Sequence, residues 1–526
     1  MTAFDDINLF LPDVWAGHAR RTPEKTALVC GDHSLTWRGF NESMNRLANA
    51  LLGAGLRKGD RVAVLMSSSV EAVVAMFGVV KSGACLVPVS SLLTSDQLAT
   101  LLNDGGATFL LVSPDLRPLI DPIRDRLATM RVDGFVCTGA AEGDMLGWRS
   151  YDSFVADTPA DEPGVRFAMD DPFSIMYSSG TTGLPKGVVH SHRARQYFCV
   201  SNGFEMRFDA TARALTSTAL YTAGTWLMVM PVLFVGGTLH ILPRFTPDAF
   251  LRTVARERIT HSFVVPSQII MVLTEGRLEE HDPGYDLGSL RTLLSAGSPL
   301  RPDLKAKLLA HLGHAFYELY GFTEGSSTLL KPEEHVTKFL SVGAPLMGQE
   351  IAIIGSDGQR MPPGEPGEIA GHGPGLLTRY HGKPEETEAA IWRDEQGRSF
   401  IRSGDIGRLD ADGYLYILDR KKDMIITGGL NIFPADIEKT VSSHPDILDI
   451  TVVGVPHEKW GETPVGIAVL REGATATAGE IMAWANERLA KHQRLTRLDI
   501  RPELPRNALG KVLKRELRAE LGEAAS

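Results

Sequence analysis

Tyr177-Ser-Ser-Gly-Thr-Thr-Gly-Leu-Pro-Lys186-Gly187 is the stretch of this sequence that indicates fold and function most directly. It lies between an apolar segment, residues 173–177, and a basic segment that is compatible with a helix. Glycines let backbone amides close around an anion, hydroxyl groups add donors, and a lysine neutralises phosphate charge. The stretch therefore predicts a loop that binds the phosphates of a nucleotide. The alternative is a flexible surface loop, which is the usual role of a Gly/Ser/Thr run.

The residue after the lysine separates this loop from a Walker A motif. That motif has Ser or Thr directly after its lysine, and the hydroxyl group holds magnesium. Here Gly187 follows Lys186. The sequence therefore predicts that the metal ion is held by a residue from another part of the chain.

Composition excludes several classes of function. The 526 residues are 43% hydrophobic and 22% charged, which is typical of a globular protein. The formal net charge of -10 argues against bulk affinity for nucleic acid or for an anionic membrane, although a local basic site remains compatible with it. The longest apolar run, residues 226–235, contains Pro231 and is too short to cross a bilayer, and no secretory signal precedes it.

The cysteines indicate the redox compartment. The chain has four, widely spaced and without a CxxC pair: Cys30, Cys85, Cys137 and Cys199. Such scattered cysteines favour buried, reduced thiols over a disulfide framework or a metal site. We expect a cytoplasmic protein.

Hydrophobic periodicity predicts a parallel sheet in the first part of the chain. Residues 62–66 and 85–89 read as buried strands, and residues 70–80 between them read as a helix. This βαβ unit implies a parallel sheet flanked by helices. Strands are also predicted at 261–265 and 290–294.

The pattern of apolar and polar residues changes twice in the rest of the sequence. Between residues 343 and 417, short apolar runs alternate with Gly, Pro and Asp, which is typical of antiparallel strands with tight turns. After the charged strip 419–423, helices are predicted at 434–442 and 479–489 and a strand at 450–455. We place a domain boundary near Lys422, which gives domains 1–421 and 422–526, because few contacts need to cross an exposed charged strip. A surface turn within one domain is the alternative.

Several further motifs follow the loop. Tyr320-Gly-Phe-Thr-Glu324 and Ser403-Gly-Asp405 each present a carboxylate close to a glycine. The strip from Asp419 to Pro434 combines charges with a Gly pair, and Pro505-Arg-Asn-Ala-Leu-Gly-Lys511 places a lysine after a glycine. In this order and spacing, from about Asp13 to Lys511, the set resembles the adenylate-forming superfamily. That superfamily includes acyl-CoA synthetases, adenylation domains of nonribosomal peptide synthetases and beetle luciferases, and the chain is most similar to an acyl-CoA synthetase.

The resemblance implies both fold and reaction. The implied α/β fold has a large N-terminal domain of parallel sheets flanked by helices, a small antiparallel barrel-like subdomain, and a small mobile α+β C-terminal domain. The implied enzyme is a ligase that uses ATP and Mg2+ to convert a carboxylic acid into an acyl-adenylate and pyrophosphate, and then transfers the acyl group to coenzyme A. Oriented donors and positive charge suit this reaction, because two anions must approach each other in its first step.

The resemblance also implies roles for individual residues. The β- and γ-phosphates would be held by Ser178, Ser179, Gly180, Thr181, Thr182, Gly183 and Lys186. Thr323 would contact the α-phosphate, Glu324 would bind magnesium, and Asp405 with Arg420 would bind the ribose. Lys511 would act as an electrostatic catalyst between the acid and the α-phosphate. The adenine and the carboxylate end of the acid would be flanked by Ala296, Gly297, Glu318, Leu319 and Tyr320.

Domain movement is implied by the same resemblance. Lys422 would be the hinge, and Gly428 and Gly429 would line the tunnel for the thiol. Structural alternatives remain for several of these residues: Glu324 as a helix N-terminal carboxylate, Asp405 as a turn cap, and Lys511 as part of a solvated basic face. Many members carry a lysine where this chain has Ile426, so any help from that lysine is missing.

Small and apolar residues are expected to surround the acyl group: Tyr221, Thr222, Ala223, Gly224, Trp226, Ala296 and Gly321. Because none of them is a cation, the sequence predicts a hydrophobic monocarboxylic acid, either medium-chain, alicyclic or aromatic. Some of these residues could instead belong to the core. The prediction for the acid is therefore a class and not a compound.

Free coenzyme A is the predicted acceptor, because the chain ends 15 residues after Lys511 and includes no carrier domain. A stand-alone enzyme that loads a carrier-protein thiol is the main alternative, and a luciferase-like oxygenase is less favoured. A catalytically silent nucleotide-binding regulator is the alternative from another class. The setting of Lys511 resembles a site for a lysine acetyltransferase, and a homodimer is one expectation for a quaternary state that these residues do not specify.

Overall fold

The structure is a computed structural model that describes residues 8–139, 147–178, 186–274, 284–427, 430–457, 460–506 and 512–523. Its contacts divide the chain into two compact units. The first comprises residues 1–336, 345–350 and 372–391, and the second comprises 337–344, 351–371 and 392–526. The predicted boundary near Lys422 concerns a different division and stays a prediction.

The helices of the described ranges are short to medium in length. In chain order they are α1 Leu11–Arg21, α2 Trp37–Gly53, α3 Val70–Lys81, α4 Ser95–Gly105, α5 Arg117–Ile120, α6 Tyr151–Val155, α7 His192–Glu205, α8 Ala223–Phe234, α9 Pro247–Arg256, α10 Pro266–Thr274, α11 Pro302–Leu312, α12 His335–Lys338, α13 Pro384–Ala389, α14 Pro434–Ser442, α15 Ala478–Asn486 and α16 Lys514–Glu523. Within the described residues, no helix has the length and apolar character needed to cross a membrane.

The strands fall into four sheets. Up to residue 345 they are β1 Thr26–Cys30, β2 His33–Thr36, β3 Arg61–Leu65, β4 Cys85–Pro88, β5 Phe109–Val112, β6 Phe135–Cys137, β7 Arg149–Ser150, β8 Pro172–Ser178, β9 Lys186–Ser191, β10 Arg213–Thr216, β11 Thr238–Ile241, β12 His261–Val264, β13 Thr292–Ser295, β14 Phe316–Gly321, β15 Ser327–Leu330 and β16 Ala344–Pro345. The later strands are β17 Glu350–Ile354, β18 Gly367–His372, β19 Arg379–Tyr380, β20 Ile391–Arg393, β21 Ser399–Leu409, β22 Leu415–Arg420, β23 Ile425–Thr427, β24 Leu430–Ile432, β25 Ile447–His457, β26 Gly461–Leu470 and β27 Arg497–Ile500.

Two mainly parallel sheets form the frame of the first unit. One contains the order β15-β14-β13-β12-β10-β11-β1-β2, and the other has the order β19-β9-β8-β4-β3-β5-β6-β7. Antiparallel pairs occur where β14 meets β15, where β1 meets β2, and where β9 meets β8 and β19. Strands such as β4 and β5 are buried along their whole length, as expected for parallel strands with both faces covered.

Helix α3 shows why the first unit is stable. Ser69 caps its N-terminus by accepting a hydrogen bond from Ala72 N, and every residue of the helix except Glu71 is buried. Its side chains join one large hydrophobic cluster with those of α2 and α8. Apolar burial of this extent is the dominant favourable contribution to folding.

The second unit has a different architecture. One sheet has the order β17-β18-β21-β20 with β22 on β21, and β18, β21 and β22 pair antiparallel. The other has the order β24-β23-β26-β25, with β27 parallel to β26 and α14 and α15 packed through a shared apolar cluster. This combination of parallel sheets, a small antiparallel sheet and a small α+β portion confirms the predicted fold class.

Most predicted elements are present within one to three residues of their predicted ends. The clearest difference follows the glycine-rich loop, where the sequence favoured a helix. There the chain first forms β9, Lys186–Ser191, and only then α7. Val188 and Val189 are buried in this strand. Burial of their side chains in the tertiary structure therefore outweighs the helical propensity of the basic segment.

Candidate functional site

The glycine-rich loop connects two strands that are paired up to its ends. Ser178, the last residue of β8, is opposite Lys186, the first residue of β9, in an antiparallel register. This pairing holds the two ends of the connection side by side. The candidate residues Ser179, Gly180, Thr181, Thr182 and Gly183 lie outside the described residues.

Packing explains why glycine follows the lysine. A Cβ atom at Gly187 would lie 2.9 Å from the side chain of Ile175 and 3.2 Å from that of His381. Any larger residue would have to displace β8 or the segment after β19. A side chain that carries a hydroxyl group therefore has no room at this position, and the site that holds the metal stays a prediction.

Lys186 is held by two groups from the segment 372–391. Its ammonium is 2.7 Å from a carboxylate oxygen of Glu386 and lies 4.9 Å from the centre of the Tyr380 ring. The side chain of Lys186 is one-quarter exposed, so it remains accessible to a ligand. The hydrogen bond from Lys186 is the main reason that the pKa of Glu386 is lowered.

The turn after β14 presents Thr323 and Glu324. The carbonyl of Glu324 accepts a hydrogen bond of 2.7 Å from Leu377 N. Gly325 has a φ of +112°, and a Cβ atom there would lie 2.0 Å from the carbonyl oxygen of Gly375. Only glycine fits this close approach, so Gly325 allows the turn to pack against the 375–377 segment.

The carboxylate of Glu324 is oriented by a tyrosine. The hydroxyl of Tyr380 donates to Glu324 Oε1 at 2.7 Å, and Tyr380 is only 5% exposed. Burial, followed by the charge of Glu324, raises the pKa of Tyr380, so its hydroxyl stays protonated and remains a donor.

The chemistry of this cluster fits a magnesium ion that is bound together with a nucleotide. Magnesium prefers oxygen ligands and is commonly held by one or two carboxylates, with water and phosphate oxygens in the other positions. The described residues contain no group of three or more acidic, His or Cys side chains that could hold a metal alone. A single oriented carboxylate, Glu324, is consistent with that arrangement.

Glu318 lies on β14 and Glu324 lies in the turn after it, but the two carboxylates have different environments. The carboxylate of Glu318 is 2.5 Å from the ammonium of Lys305 on α11, and both residues are buried. Burial raises the pKa of Glu318, and Lys305 opposes that effect. The side chain is therefore engaged in a buried ion pair, and its role beside the adenine stays a prediction.

The other residues predicted near the adenine and the acid lie at the ends of β13 and β14. Ala296 is buried and follows Ser295, while Gly297 has a φ of +96°. Leu319 is buried, Tyr320 is partly buried and Gly321 is exposed.

The residues predicted to line the acyl pocket occupy the start of α8. Thr222 caps this helix by accepting a hydrogen bond from Thr225 N, and Ala223 and Gly224 are partly buried. A Cβ atom at Gly224 would lie 2.7 Å from the ring of Phe263, so this glycine permits close packing of that ring. Tyr221 is partly buried, and burial raises its pKa.

Trp226 belongs to the core in this structure. It is fully buried, its indole N–H donates to Leu220 O at 2.9 Å, and its ring contacts Phe77 and Phe173. Its polar atom is already satisfied, so a place in the pocket stays a prediction.

A buried arginine that sequence reasoning missed stands beside Trp226. The guanidinium of Arg195 lies 4.7 Å from the Trp226 ring and donates to Ser174 Oγ at 3.2 Å and to His190 Nδ1 at 3.1 Å. Burial lowers the pKa of Arg195 to about 9, so it is still charged at neutral pH. The prediction that no cation is near the acyl group did not take this residue into account, because a basic residue in a basic segment resembles a surface residue.

The second unit contains the pair predicted to bind ribose. Asp405 on β21 is directly opposite Arg420 on β22, and Arg420 Nε is 3.2 Å from Asp405 Oδ1. Ser403 Oγ accepts from Asp405 N at 3.0 Å and donates to Ile369 O at 2.8 Å, which fixes the backbone. Asp405 is buried while Arg420 is more than one-third exposed. A carboxylate held in this way can accept hydrogen bonds from a diol.

The strip that follows Arg420 is organised by Asp419. Its two carboxylate oxygens accept hydrogen bonds from Arg420 N at 2.7 Å and from Ala435 N, at the start of α14, at 3.0 Å. Burial raises the pKa of Asp419 to about 6. Lys422 is exposed, and its role as a hinge stays a prediction. Gly428, Gly429 and Lys511 lie outside the described residues.

Two further functional candidates were not predicted. Tyr380 and Glu386 contact Glu324 and Lys186, but they are 56 and 200 residues away from those partners in the sequence. Neither carries a motif of its own. Only the pairing of β19 with β9 brings them to the site.

The parallel sheets, the glycine-rich connection and the oriented carboxylate define an adenylate-forming enzyme. The chain belongs to the AMP-binding enzyme family: residues 15–381 match that family, and residues 436–511 match the AMP-binding enzyme C-terminal domain. It is therefore an AMP-forming acid–thiol ligase, a class that uses ATP, Mg2+ and coenzyme A.

Curated relatives match over nearly the whole chain. A feruloyl-CoA synthase of Amycolatopsis sp. is 34% identical and covers 96% of this chain and 97% of its own length. A long-chain-fatty-acid–CoA ligase of Mycobacterium tuberculosis is 33% identical, with 93% of each chain covered. Among solved structures, ATP-bound MatB from Rhodopseudomonas palustris superposes with a TM-score of 0.87 at 27% identity, covering 98% of this chain and all of that one.

Proposed function

We propose that this protein is an ATP-dependent acyl-CoA ligase that activates a hydrophobic monocarboxylic acid and transfers its acyl group to free coenzyme A. The observation that carries the proposal is the cluster of Lys186, Tyr380 and Glu324, assembled at the end of the glycine-rich connection. The cluster brings one cation and one oriented carboxylate close together, which supports a site for a polyphosphate and its magnesium ion.

The division of labour in the first step follows from these side chains. Lys186 would neutralise the departing β- and γ-phosphates with the loop 178–183, and Thr323 would donate to the α-phosphate. Glu324 would hold magnesium, which offsets the repulsion between the two anions that react. Lys511 would add positive charge at the attacking carboxylate. These groups stabilise developing charge and do not transfer protons.

Ribose recognition is assigned to Asp405 and Arg420. The buried carboxylate would accept hydrogen bonds from the two hydroxyl groups, and the partly exposed guanidinium of Arg420 keeps that carboxylate ionised and oriented. Asp405 is fixed from the backbone by Ser403, so little ordering is needed when a nucleotide binds.

The hydrophobic class of the acid is supported from two sides. The residues at the start of α8 and the end of β13 are small or apolar, and a second charged group there would lose its hydration without compensation. The two curated relatives carry the names of an aromatic acid and a long-chain acid, both hydrophobic monocarboxylates. Arg195 is the one feature that would favour an acid with a second carboxylate.

The acceptor is proposed as free coenzyme A, because both curated relatives, a feruloyl-CoA synthase and a long-chain-fatty-acid–CoA ligase, carry CoA in their names. Gly428 and Gly429 would line the path of its thiol, and Lys422 would be the hinge between the two half-reactions. All four cysteines are free thiols, which supports a reducing compartment such as the cytoplasm. A homodimer and acetylation of Lys511 remain further proposals, to be tested by sedimentation and by mass spectrometry.

The test is acid-dependent ATP–pyrophosphate exchange across a panel of fatty, alicyclic, benzoic, cinnamic and dicarboxylic acids. Each acid is assayed with and without coenzyme A, and the thioester is measured. Exchange with hydrophobic monocarboxylic acids and a thioester product would support the proposal. Exchange without a thioester would indicate a carrier-protein loader, and preference for a dicarboxylic acid would overturn the substrate class. The Lys186→Met variant is the control for background exchange.

A further inference from the structure

Tyr380 contacts both charged groups of the phosphate end through different parts of its side chain. Its hydroxyl donates to Glu324 Oε1 at 2.7 Å, and its ring lies 4.9 Å from the ammonium of Lys186. The arrangement therefore couples the orientation of the candidate metal ligand to that of the candidate phosphate ligand.

The backbone around Tyr380 is fixed before any ligand binds. Tyr380 is opposite Val188 in the antiparallel pairing of β19 with β9. Its N–H donates to Thr387 Oγ1 at 3.0 Å, and His381 N donates to Gly187 O at 2.7 Å. A side chain on such a backbone has few rotamers available, particularly when it is almost fully buried.

Strand geometry explains how the ring reaches Lys186. Alternate residues of a strand point to the same face, so Lys186 and Val188 project to one side of β9. Tyr380, opposite Val188, is then the diagonal neighbour of Lys186, a separation that an aromatic ring can bridge. The face of the ring attracts the ammonium, and Glu386 holds the same ammonium from another side.

The hydroxyl has the properties required of a permanent donor. It belongs to an almost fully buried side chain and donates to the carboxylate of Glu324 at 2.7 Å. A hydrogen bond to a charged acceptor is stronger and more directional than one between neutral groups. The bond at 2.7 Å therefore fixes the position of Glu324 Oε1.

We propose that Tyr380 is a positioning residue of the adenylation site, whose hydroxyl orients Glu324 for magnesium and whose ring orients Lys186 for phosphate. The inference rests on the proposed function. It assigns to one residue two separable effects: the hydroxyl acts on metal-dependent binding, and the ring acts on nucleotide binding with or without metal.

Two variants separate these effects. Tyr380→Phe removes only the hydroxyl and keeps the ring, while Tyr380→Leu removes both. Tyr285→Phe is the matched control, because Tyr285 also donates its hydroxyl to a carboxylate, that of Asp248, in the same unit. Thermal unfolding confirms that each variant is folded, and Tyr380→Phe alone decides the role of the hydroxyl if Tyr380→Leu does not fold.

The measurement is calorimetric binding of ATP, once with excess Mg2+ and once with EDTA, which requires no acid and no turnover. For Tyr380→Phe we expect the ratio of the two affinities to fall about 3- to 10-fold, with metal-free ATP binding unchanged. For Tyr380→Leu we expect metal-free binding to weaken as well, by about 3- to 10-fold. The control Tyr285→Phe should match the unmodified protein in both measurements.

The outcomes distinguish failure of this inference from failure of the proposed function. If the unmodified protein binds ATP and Tyr380→Phe leaves the metal effect unchanged, the inference is overturned and the proposed function stands. A Tyr380→Leu variant that behaves like Tyr380→Phe would overturn the part played by the ring. If the unmodified protein binds no ATP under either condition, the proposed function itself fails, and this inference fails with it.

Discussion

Two lysine–glutamate pairs in the first unit have the same chemistry and very different surroundings. Lys305 and Glu318 lie 2.5 Å apart with side chains only 4% and 11% exposed. Lys186 and Glu386 lie 2.7 Å apart, with side chains 25% and 41% exposed. The distances are nearly equal, so the exposed fraction is what distinguishes the pairs.

The difference in exposure separates a structural role from a binding role. A charge in the buried pair is largely shielded from water, and removal of one member leaves the other buried without that counter-charge. The more exposed pair, Lys186 and Glu386, is the half-open pair. A charge in it can exchange its partner for water or for an anionic ligand at little cost. The buried pair is therefore expected to affect stability, and the half-open pair to affect ligand binding.

The largest expected effect is on the buried pair. Lys305→Met should lower the free energy of unfolding by about 3–5 kcal/mol, because Glu318 would remain buried without a counter-charge. Urea unfolding followed by tryptophan fluorescence measures it. The exposed Lys307→Met, two residues along the same helix, should change stability by less than about 0.5 kcal/mol. The double variant Lys305→Met/Glu318→Leu should recover much of the loss, and a double variant as unstable as the single one would contradict the assignment.

The same contrast shows what could be predicted from the sequence. Apolar runs such as 62–66 and 85–89 indicate buried strands, because the apolar character of a run can be recognised in the local sequence. These two strands were predicted correctly. Glu318 and Glu324 are both glutamates near a glycine turn, and nothing local distinguishes the one that pairs with Lys305 from the one that contacts Tyr380. Their environments arise from α11 and β19, which are distant elements of the first unit.

Candidate site residues that depend on pairing between distant strands were missed for the same reason. Tyr380 reaches Glu324 because β19 pairs with β9, and no spacing in the sequence indicates that pairing. Arg195 is a basic residue two positions after Arg193, yet it points into the core and contacts Trp226. By contrast, Asp405 and Arg420, which were predicted to act together, are opposite each other on neighbouring strands, and their binding of ribose stays a prediction.

In the pair of Asp405 and Arg420, only the aspartate is buried. This pair tests whether a buried carboxylate with a partly exposed partner can bind a nucleotide. Asp405→Asn should weaken ATP binding by about 10- to 100-fold, because the charge that accepts the ribose hydroxyls is lost. Calorimetric titration with ATP measures it. Asp394→Asn is a matched control. The side chain of Asp394 is 8% exposed and pairs with Arg398 at 2.7 Å, and the side chain of Asp405 is similarly buried, at 10% exposed, and also pairs with an arginine. Equal loss of ATP affinity in the two variants would show that the role of Asp405 is structural.

Asp419 extends the comparison to a buried carboxylate that accepts hydrogen bonds from two backbone N–H groups. Its pKa is raised from 3.8 to about 6, mainly by burial, so ionisation is more costly in the folded state than in the unfolded state. The stability present below pH 3.8 is therefore lost as the pH rises to about 6. Asp419→Asn does not ionise and escapes this loss. Its stability relative to the unmodified protein should increase by about 1–2 kcal/mol between pH 4 and pH 7.5.

The measurement for Asp419 is urea unfolding of both proteins at each pH. The change in their difference is the informative quantity, because the asparagine loses one acceptor for the bonds from Arg420 N and Ala435 N at every pH. A difference that is constant from pH 4 to pH 7.5 would show that Asp419 ionises in the folded protein with its ordinary pKa.

The smallest expected effect is also the most direct test of the half-open pair. Before a nucleotide binds, Glu386 neutralises Lys186, and a polyphosphate must displace that carboxylate and approach its negative charge. Glu386→Gln removes both obstacles, so ATP should bind about 2- to 5-fold more tightly, and the gain should shrink at high salt, where exposed charges are screened. Calorimetric titration at low and high salt measures this.

The neighbouring Glu385→Gln changes the net charge equally on the same helix without the contact to Lys186, and it should leave ATP affinity within 1.5-fold, as expected of a charge outside the site. If Glu386→Gln instead binds ATP more weakly than Glu385→Gln, the carboxylate holds Lys186 in its binding orientation, and the half-open pair serves binding by fixing the lysine and not by releasing it.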